Sequence, residues 1–213
     1  NVYTVNSQNL SSGIGLLINK AIKFKKEGFS ASGKTSSIGK AEQIGTVDYS
    51  NSNQVLKTLF DAEKESANLH YEVNCTVTSD GKIWKAVGDS NFVDLSSITS
   101  DLKGSFSYHN HPTKETRYSF SAQDAAFFID SKMQYAKASD NLFEYTMKRT
   151  PQTIDSDYDS VYNIFVNIIK TDVRKLEWDG LIDPDIDEYH ETMKRVSEKY
   201  NFEYERRKLN GNK

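Results

Sequence analysis

Apolar and polar positions along the chain follow two rhythms. LLINKAIKFKK (16–26) has Leu17, Ile18, Ala21, Ile22 and Phe24 on a roughly 3.6-residue period with lysines opposite, which predicts a helix. GFSASGKTSSIGK (28–40) breaks the pattern and reads as loop. QVLKTLFDAEKESANLH (54–70) predicts a second helix, with Val55, Leu59, Ala62 and Leu69 on one face and Asn53 as its cap. EVNCTVTSDGKIWKAVGD (72–89) alternates on both sides of Ser-Asp-Gly and predicts a hairpin. NFVDL (91–95) reads as a third short strand. GSFSYHNH (104–111) alternates again and stops at Pro112. SAQDAAFFIDSKMQYAKA (121–138) predicts a helix, LFEYTMKR (142–149) a strand, DEYHETMKRVSEKY (187–200) a helix and FEYERRKL (202–209) a strand. SVYNIFVNIIK (160–170) is a buried strand or a helix, and periodicity does not decide between them. The order predicts a mixed α/β domain over residues 51–213. Residues 1–50 hold six of the eleven glycines and read as an N-terminal appendage or lead-in.

Composition narrows the class. A length of 213 residues suffices for one full core, and a hydrophobic fraction of 37% rich in Tyr and Phe predicts a folded chain. Net charge is −3 with both signs interspersed, so no global attraction to nucleic acid is expected. Apolar runs such as GIGLLI (13–18) are too short for a membrane span or a signal-peptide core. The lone cysteine, Cys75, excludes a disulfide framework and a Cys-rich zinc site, and reads as a buried inert thiol in a reducing cytoplasm. The chain opens on Asn rather than Met, which points to a trimmed or excised piece of something longer.

Several motifs carry little chemistry. GFSASGKT (28–35) matches a phosphate-binding loop in letters but lacks the buried strand before it and the packed helix after it. HETMK (190–194) stops short of a helical zinc motif because position 194 is Lys, which leaves His190 a structural or exposed histidine. RRK (206–208) is the one clear basic cluster and reads as a solvated element end.

YHNHPTKETRYSFSAQD (108–124) differs. It holds two of the chain's four histidines. His109 and His111 stand two apart on a strand, so both imidazoles reach one side of it and one ion. Ser121 is the N-cap of the next helix, and Asp124 in its first turn supplies a third, oxygen ligand. Two histidines and one carboxylate leave a fourth tetrahedral position open, as in catalytic rather than structural zinc sites. A general base is then required, and Glu72 is the best placed. It opens a strand whose alternation turns Val73, Cys75 and Val77 one way and Glu72, Asn74 and Thr76 the other. Glu63 and Glu65 are weaker candidates, since a helical Glu-Lys-Glu run is ordinarily solvated.

These residues resemble the JAB/MPN metalloprotease superfamily and its JAMM motif: His109-Asn110-His111-Pro112, then Ser121-x-x-Asp124, with Glu72 upstream at a helix-to-strand junction. The hairpin and the HNHP strand look most like bacteriophage and prophage members, often linked to head-morphogenesis proteins. The resemblance spans about residues 54–209. It implies a curved, mainly antiparallel mixed sheet flanked by helices, in the three-layer manner of MPN and cytidine-deaminase folds. It also implies Zn²⁺ held by His109, His111 and Asp124, Glu72 holding and deprotonating a zinc-activated water, and Ser121 stabilising the oxyanion. The chain departs in one respect: eight residues separate Pro112 from Ser121, where the usual pattern has six. Ser119 keeps the usual spacing, but Ala122 stands three residues later, so Ser121 with Asp124 is the consistent pair.

The resemblance thus implies a zinc-dependent peptidase or isopeptidase acting on a protein or peptide in the cytoplasm of a bacterial host or in a virion, with phage structural proteins as partners and neither nucleic acid nor membrane. The alternatives are a non-catalytic MPN-fold binding module of a phage head, and the DNA-repair-associated branch that shares HNHP and calls for a basic face.

Overall fold

The computed structural model of the chain describes residues 40–112 and 118–209. The expected helix at 16–26 and the phosphate-loop-like GFSASGKT lie outside them. Seven strands are described: β1 (Glu42–Thr46), β2 (Val73–Val77), β3 (Lys82–Val87), β4 (Phe106–Asn110), β5 (Tyr135–Ser139), β6 (Phe143–Lys148) and β7 (Glu203–Lys208). They form one open sheet in the order β1-β3-β2-β4-β5-β6-β7. Every neighbouring pair is antiparallel except β4 and β5. The α-helices are α1 (Ser52–Ser66), α2 (Ala122–Asp130), α3 (Tyr158–Ile168), α4 (Arg174–Trp178) and α5 (Pro184–Tyr200). None is long and apolar enough to cross a membrane.

Alternation along the strands sorts side chains onto two faces. On one, Cys75 and Val77 of β2 and Tyr108 of β4 meet Val55 and Leu59 of α1 in a small core. Fully burying a side chain such as Leu59 stabilises by roughly 1.5–3 kcal/mol. On the other, Ala136 and Ala138 of β5 and Tyr145 and Met147 of β6 face a larger core built by α2, α3 and α5. The fold is therefore α/β, with helices on both faces.

Helix ends follow their caps. Asn51, not Asn53, caps α1, its Oδ1 accepting from the Gln54 N–H at 3.2 Å. The ambiguous segment at 160–170 is helical: Asp157 caps α3, and Val161 and Phe165 are buried one turn apart. It continues through a π-helical turn at Ile169–Val173 into α4. Asp183 caps α5, which carries Pro184 in its first turn and ends on Asn201 in the left-handed conformation.

Three strand expectations are revised. The helix expected over 121–138 stops at Asp130, because Lys132 takes a left-handed φ of 54° and the Met133 N–H closes onto the Phe128 carbonyl at 3.2 Å. The remainder becomes β5, and β4–α2–β5 is a parallel crossover. NFVDL forms no strand. Its Phe92 carbonyl accepts from the Asp89 N–H at 2.9 Å and lies so close to Gly88 that a Cβ there would meet it at 1.8 Å. Finally, β1 falls among the residues expected to be a lead-in, yet it pairs with β3, with a register irregularity between Gln43 and Gly45.

Candidate metal centre

β4 lies at the middle of the sheet, between β2 and β5. In the β2–β4 ladder Asn74 stands opposite His109 and Thr76 opposite Ser107, so these four share the face that meets α2. Asn74, Thr76 and Ser107 are buried and satisfy one another. The Asn74 Nδ2 donates to Ser107 Oγ at 2.9 Å, and Thr76 Oγ1 donates to Asn74 Oδ1 at 2.7 Å. This is the floor beside the first imidazole.

The strand end is held from the opposite face. The Asn110 side chain replaces the next ladder partner, its Oδ1 accepting from the Val73 N–H at 2.7 Å and its Nδ2 donating to the Tyr71 carbonyl at 3.0 Å. The His111 N–H donates to the Ser139 carbonyl at 2.8 Å, and Pro112 then ends the pairing. His109 and His111 thereby turn to the same side, with their Nε2 atoms 2.9 Å apart.

The third donor comes from α2. Ser121 and Asp124 form a full capping box. The Asp124 N–H donates to Ser121 Oγ at 3.2 Å, while the Ser121 N–H and hydroxyl donate to Asp124 Oδ2 at 2.8 and 2.7 Å. The other oxygen, Oδ1, points to His109 Nε2 at 3.5 Å. The capping and ligand readings of Asp124 therefore hold together, one oxygen each. The Ser121 hydroxyl is donated to Asp124, so in this arrangement it holds the carboxylate; an oxyanion would have to draw it away. Ser119, the residue at the usual family spacing, is buried and bonds Tyr204 Oη at 2.8 Å instead.

His109, His111 and Asp124 bring one donor atom each to within 4.8 Å of one another. Ligands about 2.0–2.1 Å from a tetrahedral ion lie about 3.3–3.4 Å apart, and the 2.9 and 3.5 Å separations bracket that spacing. The charges suit a cation as well. Burial lowers the pKa of His109 against the opposing pull of Asp124. Burial and the neighbouring His109 lower that of His111 to about 3. Burial thus favours the neutral form of both rings, the form in which a ring nitrogen can bind a metal. Burial works against the Asp124 charge, but the two imidazoles and the Ser121 bonds outweigh it and keep the group below its ordinary range. Neutral imidazoles and an ionised carboxylate are the protonation states a divalent metal requires. Two nitrogens and an oxygen suit zinc and other imidazole-binding divalent ions.

Glu72 sits at the start of β2, where its N–H donates to the Asp89 carbonyl at 2.6 Å and its carbonyl accepts from the Gly88 N–H at 2.8 Å. Continuing the register beyond Asn74 and His109 puts Glu72 on their face, level with His111. It is buried, and burial, then the charges of Asp124 and Asp89, push its carboxyl up to about 8. The two weaker base candidates lie elsewhere. Glu63 is buried against Lys137 at 2.7 Å, and Glu65 is exposed beside Lys85 at 3.4 Å. Both belong to α1, which packs on the other face of the sheet.

The remaining flagged residues have structural partners. His190 Nδ1 lies 2.9 Å from Tyr204 Oη. Arg206 pairs with Asp187 at 2.6 Å and Arg207 with Glu144 at 2.7 Å, so the basic cluster is largely neutralised. Cys75 is buried and its thiol is pushed up to about 11, chiefly by burial, which makes it inert. Asn74, set beside Glu72 by strand alternation, lines the floor of the site, and Asn110 holds the strand end although the sequence gives it no expected role. Strand alternation could have found it too, since it sets Asn110 opposite in sense to the histidines.

Comparison with protein-family models, with curated proteins and with solved structures finds no match to this chain. The functional reading therefore rests on the site's own geometry and on the motif.

Proposed function

We propose that the chain is a zinc-dependent hydrolase of the JAB/MPN type, cleaving a peptide or isopeptide amide bond. The observation that carries this reading is the convergence of His109, His111 and Asp124 on one point, with Glu72 on the same face of the sheet. Zinc supplies a Lewis acid that polarises a carbonyl and makes water acidic near neutral pH, about 7 against ~15.7 in bulk. The chain's residues do the rest. Glu72 accepts the proton of the attacking water at its carboxylate as the new C–O bond forms. It returns that proton to the amine nitrogen as the C–N bond breaks. Burial is the main cause of the raised Glu72 pKa, with the charges of Asp124 and Asp89 adding to it; a cation beside Asp124 offsets that added part and favours the ionised base. Ser121 keeps Asp124 in place and is the candidate donor to an oxyanion.

A non-catalytic MPN-fold module, with the metal bracing the fold of a phage structural protein, is the second reading. The capping box favours it, because Ser121 and one oxygen of Asp124 are accounted for without chemistry. It leaves unexplained why a carboxylic acid, Glu72, is buried on the same face.

Two variants separate these readings. His109→Ala is expected to abolish stoichiometric zinc by elemental analysis; full zinc in that variant refutes the ligand set. Glu72→Gln is expected to retain zinc and lose hydrolysis across a panel of fluorogenic peptides and ubiquitin-like conjugates cleaved by the wild type. Undiminished turnover removes Glu72 as the base, and a wild type inert on the whole panel favours the bracing module.

A further inference from the structure

A metal-ligating histidine usually donates its second ring nitrogen to a carboxylate, carbonyl or water that fixes the ring's orientation. His111 departs from this. Its Nε2 faces His109, and its Nδ1 is buried with no hydrogen-bond partner among the described residues. Packing is the contact on view that can fix the angle of the ring.

The rings around it supply that contact. His111 packs against Tyr145 with centroids 5.9 Å apart, Tyr145 against Phe120 at 6.0 Å, Phe120 against His109 at 6.0 Å, and His109 against His111 at 4.8 Å. Four rings close a cycle, two of them ligands and two apolar. Phe120 and Tyr145 are both fully buried. Each is tethered at a different point. Phe120 immediately precedes the Ser121 cap and follows Ser119, which is fixed to Tyr204. The Tyr145 hydroxyl donates to Asp140 Oδ2, and Asp140 Oδ1 in turn accepts from the Leu142 and Phe143 N–H groups at 2.6 and 2.8 Å, which secures the turn between β5 and β6. Close packing transmits such constraints, because a buried ring cannot tilt without displacing its neighbours.

We propose that Phe120 and Tyr145 are positioning residues, which set the angle at which His109 and His111 present Nε2 to a cation through ring packing rather than through hydrogen bonds. The proposal rests on the metal-centre reading above and concerns affinity and geometry, independently of catalysis.

The test uses the full chain, with Zn²⁺ affinity measured by competition with a chromophoric chelator and site geometry read from the visible spectrum of the Co²⁺-loaded protein. Phe120→Leu and Tyr145→Leu are expected to weaken Zn²⁺ binding by about tenfold or more, the loss typical when a group supporting a ligand is removed, and to shift the Co²⁺ bands. Tyr145→Phe keeps the ring but loses the tether to Asp140, and is expected to bring both readings much closer to wild type than Tyr145→Leu does. Leu59→Ala opens a cavity in the separate core under α1 and is expected to lower stability while leaving both readings unchanged. If a leucine variant does not fold, methionine at the same position, closer in volume, carries the same test. Unchanged affinity and spectrum in the Phe120 and Tyr145 variants, or an equal loss in Leu59→Ala, overturns the proposal. A wild-type chain that binds no Zn²⁺ overturns the metal centre itself, so the two failures are distinguishable.

Discussion

The two faces of the sheet both bury charged groups, and they balance them differently. On the α1 face, Lys137 of β5 lies 2.7 Å from Glu63 and 3.3 Å from Glu144, and Glu144 also meets Arg207 at 2.7 Å. Anions and cations there come from the chain itself. On the α2 face, Asp124 and Glu72 approach two neutral imidazoles, and no Lys or Arg among the described residues pairs with either acid. Among the described residues, one face is electrostatically complete and the other is short of positive charge. Burying an unbalanced charge costs several kcal/mol per ion, so the deficit is tolerable where an external cation makes it up or where an acid stays protonated.

The largest expected effect tests the complete face. Lys137→Met leaves Glu63 buried without its cation and Glu144 with Arg207 alone, and should cost about 3–5 kcal/mol in urea unfolding. Added metal should not restore it. A loss under 1 kcal/mol would mean that solvent already screens the cluster and that the contrast between faces is weaker than drawn. The next effect tests the deficient face. Zn²⁺ at about one hundred times its dissociation constant should stabilise the wild type by about 2.7 kcal/mol, seen as a rise in Tm. The rise should persist in Lys137→Met and vanish in His109→Ala. A Tm that ignores zinc would leave the α2 face without its counter-ion.

The smallest effect supplies a background for both. His190 is half-buried at neither cluster, and burial, then Arg206, depress its pKa to about 4. The unfolded chain, with an ordinary value near 6.5, binds the proton first as pH falls. The stability this residue contributes is therefore present above about 6.5 and is lost as pH drops towards 4. In metal-free protein the stability of His190→Gln should fall less steeply than that of the wild type between pH 6.5 and 4. Parallel curves would show that His190 exchanges its proton with no folding linkage.

Much of the candidate site is legible because it rests on alternation and a cap. His109 and His111 share a side by strand period, Glu72 and Asn74 face the same way by the same rule, and Ser-x-x-Asp marks a helix start. Long-range placement was less legible. The left turn at Lys132 is made by a residue with no special preference for it, so the end of α2 and all of β5 were hidden in an apparently continuous helix. Strand β1 lies in a polar, glycine-containing stretch, EQIGT, with four of its five residues exposed, and such an exposed edge strand leaves no apolar alternation to detect. Glu63 looked like part of a solvated Glu-Lys-Glu run, and only Lys137, distant in sequence, explains its burial. Phe120 and Tyr145 look like ordinary core aromatics, and nothing local reveals that they meet the imidazoles.

Asp124 divides its two oxygens between a helix start and the imidazoles, and this ties two kinds of inheritance together. A replacement by Ala would remove the donor and uncap α2 at the same stroke, so drift at this position damages architecture as well as chemistry. Asn keeps an oxygen for the Ser121 groups while giving up the anionic charge. Where the proposed ion is bound, a descendant that abandoned it but kept the fold would have its easiest route through that single change.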